Sequence, residues 1–125
     1  MKATVLIDSY AWFEYFFGST KGKKVADIIR SDSEVIISPV NLIEVYSKYL
    51  REMPDEAEEK RIFMLSRSRV VPLDTKISGN ASKLKVKHRL GLADSIILST
   101  ARGINAKIIT CDQHFKNLPG VIFLE

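Results

Sequence analysis

The chain has 125 residues, of which 46% are hydrophobic, 27% charged and 9% aromatic. This composition is typical of a globular protein and excludes collagen-like, low-complexity and wholly disordered chains. The length predicts a single domain over residues 1–125, because two cores would leave each too small to be stable.

The cysteine content and the apolar runs indicate where the protein works. A single cysteine, Cys111, cannot form an internal disulfide or supply a zinc site, which favours a reducing cytoplasm. The first apolar run stops at Asp8, and no later run approaches the roughly 20 apolar residues of a membrane span. We therefore expect a cytoplasmic protein with no membrane partner.

Five short apolar segments predict the strands of a sheet. They are rich in β-branched residues, hardly alternate with polar ones, and cover residues 4–7, 34–37, 70–73, 107–110 and 121–124. Continuous apolarity is typical of parallel strands that helices cover on both faces. Most of the intervening stretches are long enough for helical crossovers, so we predict the order β, α, α, β, α, α, β, α, α, β, short α, β and an α/β fold, a three-layer α/β/α sandwich.

Capping and turn signals predict where several helices begin. Ser38 is suited to an N-cap, and Pro39 to the first turn of the helix that follows it. The apolar stripe of that helix is Leu42, Val45, Tyr46 and Tyr49. Asp74 is best explained as the N-cap of a later helix, although residues 83–87 alternate like a strand and Gly79 weakens either interpretation.

Positive charge is concentrated in one segment. The net charge is +4, and no acidic residue lies between Asp74 and Asp94. That interval holds all of the positive excess, on Lys76, Lys83, Lys85, Lys87 and Arg89. The last four are possible RNA-binding residues, but a solvated helical face explains the same pattern equally well.

Four carboxylates stand where the predicted strands end. Asp8 directly follows the first strand and Asp112 lies two residues beyond the fourth. Glu44 lies near the second turn of the helix after the second strand, and Asp94 opens a helix that begins near residue 92. Because the carboxyl ends of parallel strands share one edge, these side chains converge if strands one and four are neighbours.

A cluster of this kind needs a compensating cation. Carboxylates close together repel one another, and burial of an unpaired one is costly. Oxygen ligands with room for water suit Mg²⁺ or Mn²⁺, whereas zinc normally recruits cysteine or histidine, and His88 and His114 are poorly placed for it. Such an ion assists phosphodiester hydrolysis, so the carboxylates predict a nuclease.

The segments around the carboxylates resemble the acidic motifs of PIN domains. These segments are Leu6-Ile7-Asp8-Ser9, residues 38–45 ending Ile43-Glu44-Val45, Leu92-Ala93-Asp94-Ser95 and Thr110-Cys111-Asp112-Gln113-His114-Phe115. The likeness spans the whole chain, and in size and order it is closest to the VapC-like toxins of type II toxin-antitoxin modules. It implies a parallel five-stranded sheet in the order 3-2-1-4-5 and an Mg²⁺- or Mn²⁺-dependent endoribonuclease that a small antitoxin holds inactive.

The same resemblance implies roles for individual residues and partners. The residues implied to ligate one or two metal ions and to orient the attacking water are Asp8, Glu44, Asp94 and Asp112. Ser9 and Thr110 are implied to lie next to these ligands and to orient them without contacting the metal. Tyr10 stands where the family often has a small polar residue. The implied partners are RNA, a cognate antitoxin and a second copy of the chain in a homodimer.

Plainer explanations exist for each feature taken alone. Asp94 could be a first-turn residue favoured by the helix dipole, and Glu44 an exposed ion-pair partner of Lys48. The aromatic residues at positions 10–17 could stack bases, but core and interface roles are favoured. A catalytically silent PIN-like module that binds RNA or a partner protein is the alternative function, and a phosphatase with an Asp nucleophile is a more distant one.

Overall fold

A computed structural model describes residues 2–125 of the chain. The strands are β1 (Thr4–Ile7), β2 (Glu34–Ile37), β3 (Arg69–Val70), β4 (Lys107–Thr110) and β5 (Val121–Phe123). The helices are α1 (Ser9–Phe17), α2 (Thr20–Arg30), α3 (Pro39–Glu52), α4 (Pro54–Arg67), α5 (Thr75–His88) and α6 (Leu92–Gly103), and a 3₁₀ turn covers Gln113–Phe115. The predicted order of elements is confirmed.

All five strands are parallel, and their order is β3-β2-β1-β4-β5, as predicted. In the middle of the sheet, Leu6 lies between Ile36 of β2 and Ile108 of β4. The backbone N–H of Asp8 continues this pairing and donates to the carbonyl of Ile109 over 3.0 Å. The ends of β1 and β4 therefore lie side by side, which is the condition for the acidic residues after them to meet.

Each face of the sheet has its own apolar core, and this explains the unbroken apolarity of the strands. Val5 and Ile7 of β1 belong to the core on the side of α1, α2, α3 and α4, where Trp12 is fully buried. Leu6 belongs to the opposite core with α5, α6 and the fully buried Phe115. Successive residues of β1 thus enter different cores, as expected for the middle layer of a three-layer sandwich.

The start of α3 is fixed by a reciprocal pair of caps. The hydroxyl of Ser38 accepts from the Val40 N–H over 3.1 Å, and the Asn41 side-chain carbonyl accepts from the Ser38 N–H over 2.9 Å. Pro39 occupies the first turn, where its missing N–H has no intrahelical partner to lose. The predicted N-cap is confirmed, and the cap sets the rotation of α3 about its axis.

One local prediction needs correction and another is confirmed. The sequence predicts the third strand over residues 70–73, but β3 covers only Arg69–Val70, because Pro72 offers no N–H to continue the ladder. In α5 the helical interpretation is correct despite Gly79, and the Asp74 carboxylate accepts from the Ile77 N–H over 2.8 Å as its N-cap.

The connection between α1 and α2 depends on close backbone contact. Gly18 ends α1 with a φ of +70°, in the left-handed region that glycine adopts without strain. Gly22 then packs so tightly that a Cβ on it would lie 2.0 Å from the carbonyl oxygen of Glu14. A side chain at this position would push the two helices apart.

Within residues 2–125, none of the helices combines the length and the apolar character required to cross a membrane.

Candidate metal centre

Asp8 is a buried carboxylate at the junction of β1 and α1. Its side chain is 2% exposed. One oxygen accepts from the Ser9 N–H over 2.7 Å, which caps α1, and the other accepts from the Thr110 hydroxyl over 2.6 Å. Among residues 2–125, no lysine or arginine forms an ion pair with it.

Burial of this charge shifts its ionisation strongly. Desolvation raises the pKa of Asp8 to about 7, against the opposing effect of the two hydrogen bonds from Thr110 and Ser9. The negative charges of Asp112 and Asp94 raise it further. These charges act on Asp8 because the structure brings the three acidic groups close together.

Thr110 connects Asp8 to Asp112 across the sheet edge. Its fully buried hydroxyl donates to Asp8 and accepts from the Asp112 N–H over 2.9 Å. Asp112 itself caps the 3₁₀ turn, since its Oδ1 accepts from the His114 N–H over 3.0 Å. The hydroxyl of Thr110 therefore fixes the relative positions of two acidic residues that lie 104 positions apart in the chain.

Glu44 reaches the same edge through Ser9. The Ser9 hydroxyl donates to Glu44 Oε1 over 2.6 Å and accepts from the Asn41 side-chain amide over 3.1 Å. The alternative pairing of Glu44 with Lys48 is not formed, because Lys48 lies 3.8 Å from Glu52 instead. Glu44 thus faces the end of β1 and not the solvent side of α3.

Asn41 is a site residue that the sequence interpretation missed. It is fully buried, and its two ends bind Ser38 and Ser9, so it couples the cap of α3 to the support of Glu44. The available signal was its spacing, because a polar residue three positions after Ser38 and three before Glu44 lies on the same helical face as both.

His114 lies beside two of the carboxylates. Its Nδ1 is 3.2 Å from Asp94 Oδ2 and 3.4 Å from Asp112 Oδ1. One ligand atom from each of these three residues lies within 4.8 Å of the others. The sequence predicts that His114 is poorly placed to serve as a zinc ligand, yet the structure brings its ring beside two of the carboxylates. His88 does not belong to this group.

Asp94 supplies the last carboxylate from the first turn of α6. Burial raises its pKa, the charge of Asp112 adds to the rise, and His114 opposes it. Asp94 therefore lies in the first turn of α6, where the helix dipole favours a negative charge, and it also belongs to the acidic group. Asp8 and Glu44 lie outside the compact group of Asp94, Asp112 and His114 and are joined to each other through Ser9.

Tyr10 lies close enough to all four carboxylates for each to affect its hydroxyl. Burial is the largest cause of the raised pKa of Tyr10, and the charges of the carboxylates add to it. These four groups are Asp112, Asp8, Glu44 and Asp94. The ring is 56% exposed, so Tyr10 forms part of the rim of one acidic patch at the carboxyl edge of the sheet.

Comparison with known proteins identifies the family. The model of the PIN domain family matches residues 5–121. This chain belongs to the PIN domain family. A search of curated proteins found no match.

Solved structures with the same fold include toxins of toxin-antitoxin systems. A toxin-antitoxin complex from Klebsiella pneumoniae has a TM-score of 0.81 and 24% identity, with 94% of this chain and 95% of that chain covered. VapC20 of Mycobacterium tuberculosis, described as a Sarcin-Ricin loop cleaving toxin, has a TM-score of 0.78 and 15% identity, with 97% and 99% covered. DNA-bound VapBC from Salmonella typhimurium has a TM-score of 0.76 and 17% identity, with 98% and 97% covered. These similarities extend over the whole PIN domain and show its fold.

The basic segment of this PIN domain lies on α5 and the turn after it. The side chains of Lys83, Lys85, Lys87 and Arg89 are exposed. Arg89, in the left-handed region with a φ of +55°, lines a small depression together with Asp94 and His114. Lys83 lines a different depression, between α5 and α6. Of the four basic residues, Arg89 is thus the one that shares a pocket with acidic-site residues.

The aromatic segment of the PIN domain divides between core and surface. Trp12 is fully buried and stacks on Phe16 with ring centroids 5.8 Å apart. Tyr10 and Phe17 are each 56% exposed. The core role is confirmed for Trp12, and the exposed rings leave an apolar surface beside the acidic patch.

Proposed function

We propose that the protein is a Mg²⁺- or Mn²⁺-dependent endoribonuclease that hydrolyses RNA phosphodiester bonds, the toxin of a type II toxin-antitoxin pair. The observation that carries the proposal is the buried Asp8 carboxylate, which Ser9 links to Glu44 and Thr110 links to Asp112, with Asp94 beside Asp112. No lysine or arginine of residues 2–125 forms an ion pair with any of the four. Membership of the PIN domain family supports the same activity.

The donor set fits a hard divalent cation. Carboxylate oxygens are the protein ligands that Mg²⁺ and Mn²⁺ prefer, and the patch lacks the thiolates that a structural zinc site requires. The residues that would hold the ion are Asp8, Glu44, Asp94 and Asp112. When bound, the ion lowers the pKa of a water molecule and neutralises charge on phosphoryl oxygens.

Neighbouring polar groups hold Asp8 and Glu44 in position, and those on Asp8 partly oppose the rise in its pKa. The Thr110 hydroxyl and the Ser9 N–H donate to Asp8, and both bonds favour its charged form. The Ser9 hydroxyl holds one oxygen of Glu44, so the side chain cannot rotate freely toward solvent. A ligand set fixed in this way loses little conformational entropy on binding a cation.

The surface charge favours a polyanionic substrate, and RNA is the polyanion that we propose. The basic residues Lys83, Lys85, Lys87 and Arg89 form an exposed segment that attracts a polyanion. Arg89 lies next to Asp94 in one depression, so a phosphate bound by Arg89 would lie beside the acidic patch. The description of the similar VapC20 as a Sarcin-Ricin loop cleaving toxin supports an RNA target.

The proposed partners are a cognate antitoxin and a second copy of the chain. Several structures with this fold are toxin-antitoxin complexes. An arginine from an antitoxin would form charge-assisted hydrogen bonds with the carboxylates and so compete with the cation. The exposed rings of Tyr10 and Phe17 supply apolar surface for a homodimer. With one cysteine, the chain is suited to the cytoplasm, where such systems act.

Cleavage of single-stranded RNA tests the proposal. With Mg²⁺ or Mn²⁺ the protein should cleave, and a chelator should abolish the reaction. Asp8→Asn and Asp94→Asn should each lower the rate by roughly a hundredfold or more. Asp55→Asn, an exposed position in α4, is the matched control and should leave the rate unchanged.

The same experiment distinguishes the proposed nuclease from a contaminating nuclease and from a catalytically silent module. Cleavage that persists in both site variants and in chelator would come from a contaminating nuclease and would contradict the proposal. Tight RNA binding with no cleavage and no divalent-ion binding would instead support a catalytically silent module.

A further inference from the structure

We propose that His114 is a direct ligand of the divalent cation and makes the site favour Mn²⁺ over Mg²⁺. The inference rests on the proposed metal-dependent function and adds a nitrogen ligand to the four carboxylates. It depends on the position of His114 Nδ1, 3.2 Å from Asp94 Oδ2 and 3.4 Å from Asp112 Oδ1.

The contact between His114 Nδ1 and Asp94 Oδ2 is a hydrogen bond, and the same distances match those between ligands of one ion. In an octahedral site with bonds of 2.0–2.2 Å, neighbouring ligand atoms lie about 3 Å apart. Nδ1 keeps this spacing from both carboxylate oxygens, and the three ligand atoms all lie within 4.8 Å of one another. One cation can therefore contact the imidazole and both carboxylates after only small side-chain movements.

The backbone of His114 is held firmly although its ring is exposed. The next residue, Phe115, is fully buried and anchors the 3₁₀ turn in the core with α6. The His114 N–H donates to Asp112, and the Asp112 N–H donates to Thr110. Because these bonds fix the turn relative to β4, the ring stays at the mouth of the acidic patch, where its side chain is 73% exposed.

A nitrogen donor changes which ions the site prefers. Mg²⁺ binds oxygen ligands almost exclusively and keeps several waters. Transition-metal ions, Mn²⁺ the weakest among them, accept imidazole more readily than Mg²⁺ does, so one imidazole among several carboxylates favours Mn²⁺ relative to Mg²⁺. His114 should therefore raise the affinity for Mn²⁺ more than the affinity for Mg²⁺.

Pulsed electron paramagnetic resonance on the Mn²⁺-loaded protein tests ligation directly. Imidazole nitrogen bound to Mn²⁺ gives a ¹⁴N modulation that carboxylates and water do not give. The chain contains 2 histidines, His88 and His114, so tag-free protein allows a clean assignment. The modulation should be present in the wild type and in His88→Ala, and absent in His114→Ala.

Calorimetric titration with Mn²⁺ and Mg²⁺ supplies the second readout. His114→Ala should lower the affinity for Mn²⁺ by about tenfold or more, by analogy with the losses seen when metal-site residues are removed, and lower that for Mg²⁺ clearly less. Thermal unfolding of the metal-free variant should match the wild type, because the ring is largely exposed.

The outcomes separate the two proposals. Mn²⁺ binding at the carboxylates without ¹⁴N modulation, or equal losses for both ions in His114→Ala, would overturn the role of His114 and leave the metal-dependent function standing. Absence of binding of both Mn²⁺ and Mg²⁺ in the wild type would overturn both proposals, whereas binding of Mg²⁺ alone would overturn only the role of His114.

Discussion

The buried Asp8 carboxyl makes the metal-free protein less stable as the pH rises. Its pKa is about 7 in the folded chain, against an ordinary value of 3.8. Between these values the folded protein binds more protons than the unfolded protein, so the free energy of unfolding falls with increasing pH. The shift corresponds to about 4 kcal/mol, a penalty that is absent below pH 4 and complete above pH 7.

Asp8→Asn removes this dependence and keeps the size of the side chain. The amide oxygen can still accept from the Ser9 N–H, whereas the Thr110 hydroxyl loses its acceptor at a cost of about 1 kcal/mol. Without metal, the variant should therefore be about 3 kcal/mol more stable than the wild type at pH 8. Near pH 5 only about 1–2 kcal/mol of the penalty remains, and the lost Thr110 hydrogen bond offsets most of it, so the two proteins should differ by less than about 1 kcal/mol.

Urea denaturation in metal-free buffer at several pH values between 5 and 8 measures the effect. The relevant quantity is the difference in unfolding free energy between the wild type and Asp8→Asn at each pH, since groups remote from position 8 titrate equally in both. Asp55→Asn, at an exposed position, should show a difference that does not change with pH. If the difference between the wild type and Asp8→Asn were also independent of pH, Asp8 could not be a desolvated carboxyl without a compensating charge.

Three further predictions follow from particular contacts. Asn41→Ala removes one hydrogen-bond partner from the Ser9 hydroxyl and one from the Ser38 N–H. It should lower the free energy of unfolding by denaturant by about 1–3 kcal/mol and weaken Mg²⁺ binding. Unchanged Mg²⁺ affinity would show that Asn41 does not position Glu44. Gly22→Ala places a Cβ 2.0 Å from the Glu14 carbonyl oxygen and should lower the free energy of unfolding by more than about 2 kcal/mol. Gly79→Ala, at a helical position with open space, should raise it by up to about 1 kcal/mol. Similar results for the two variants would disprove the close contact of α1 and α2. Replacement of Lys83, Lys85, Lys87 and Arg89 by glutamine should weaken single-stranded RNA binding, and the slope of log affinity against log salt should fall by about 0.7 for each residue that contacts a phosphate. An unchanged slope would assign these residues to a solvated helical face.

The architecture was predictable because its causes are local. Ser38 and Pro39 signal a helix start, and the apolar run of β1 signals a strand buried on both faces. The parallel arrangement then places Asp8 and Asp112 at one edge, since neither could leave the end of its strand. Pro72 could have shortened the predicted third strand, because proline has no N–H to donate to the ladder even in an edge strand such as β3.

The fine structure of the site was not predictable, because it depends on partners far apart in the chain. Asn41 meets Ser9 across 32 positions, and Thr110 meets Asp8 across 102. Nothing in the local pattern fixes such distances. The position of His114 depends on the rotation of a 3₁₀ turn that Phe115 anchors, and hydrophobic periodicity does not determine that rotation over three residues.

Anomalous diffraction from crystals soaked in Mn²⁺ shows directly whether the carboxylates from remote segments form one divalent-cation site. We expect a manganese peak within bonding distance of carboxylate oxygens of the four acidic residues, Asp8, Glu44, Asp94 and Asp112. A fully soaked crystal with no peak there, or with manganese bound only elsewhere on the molecule, would contradict it.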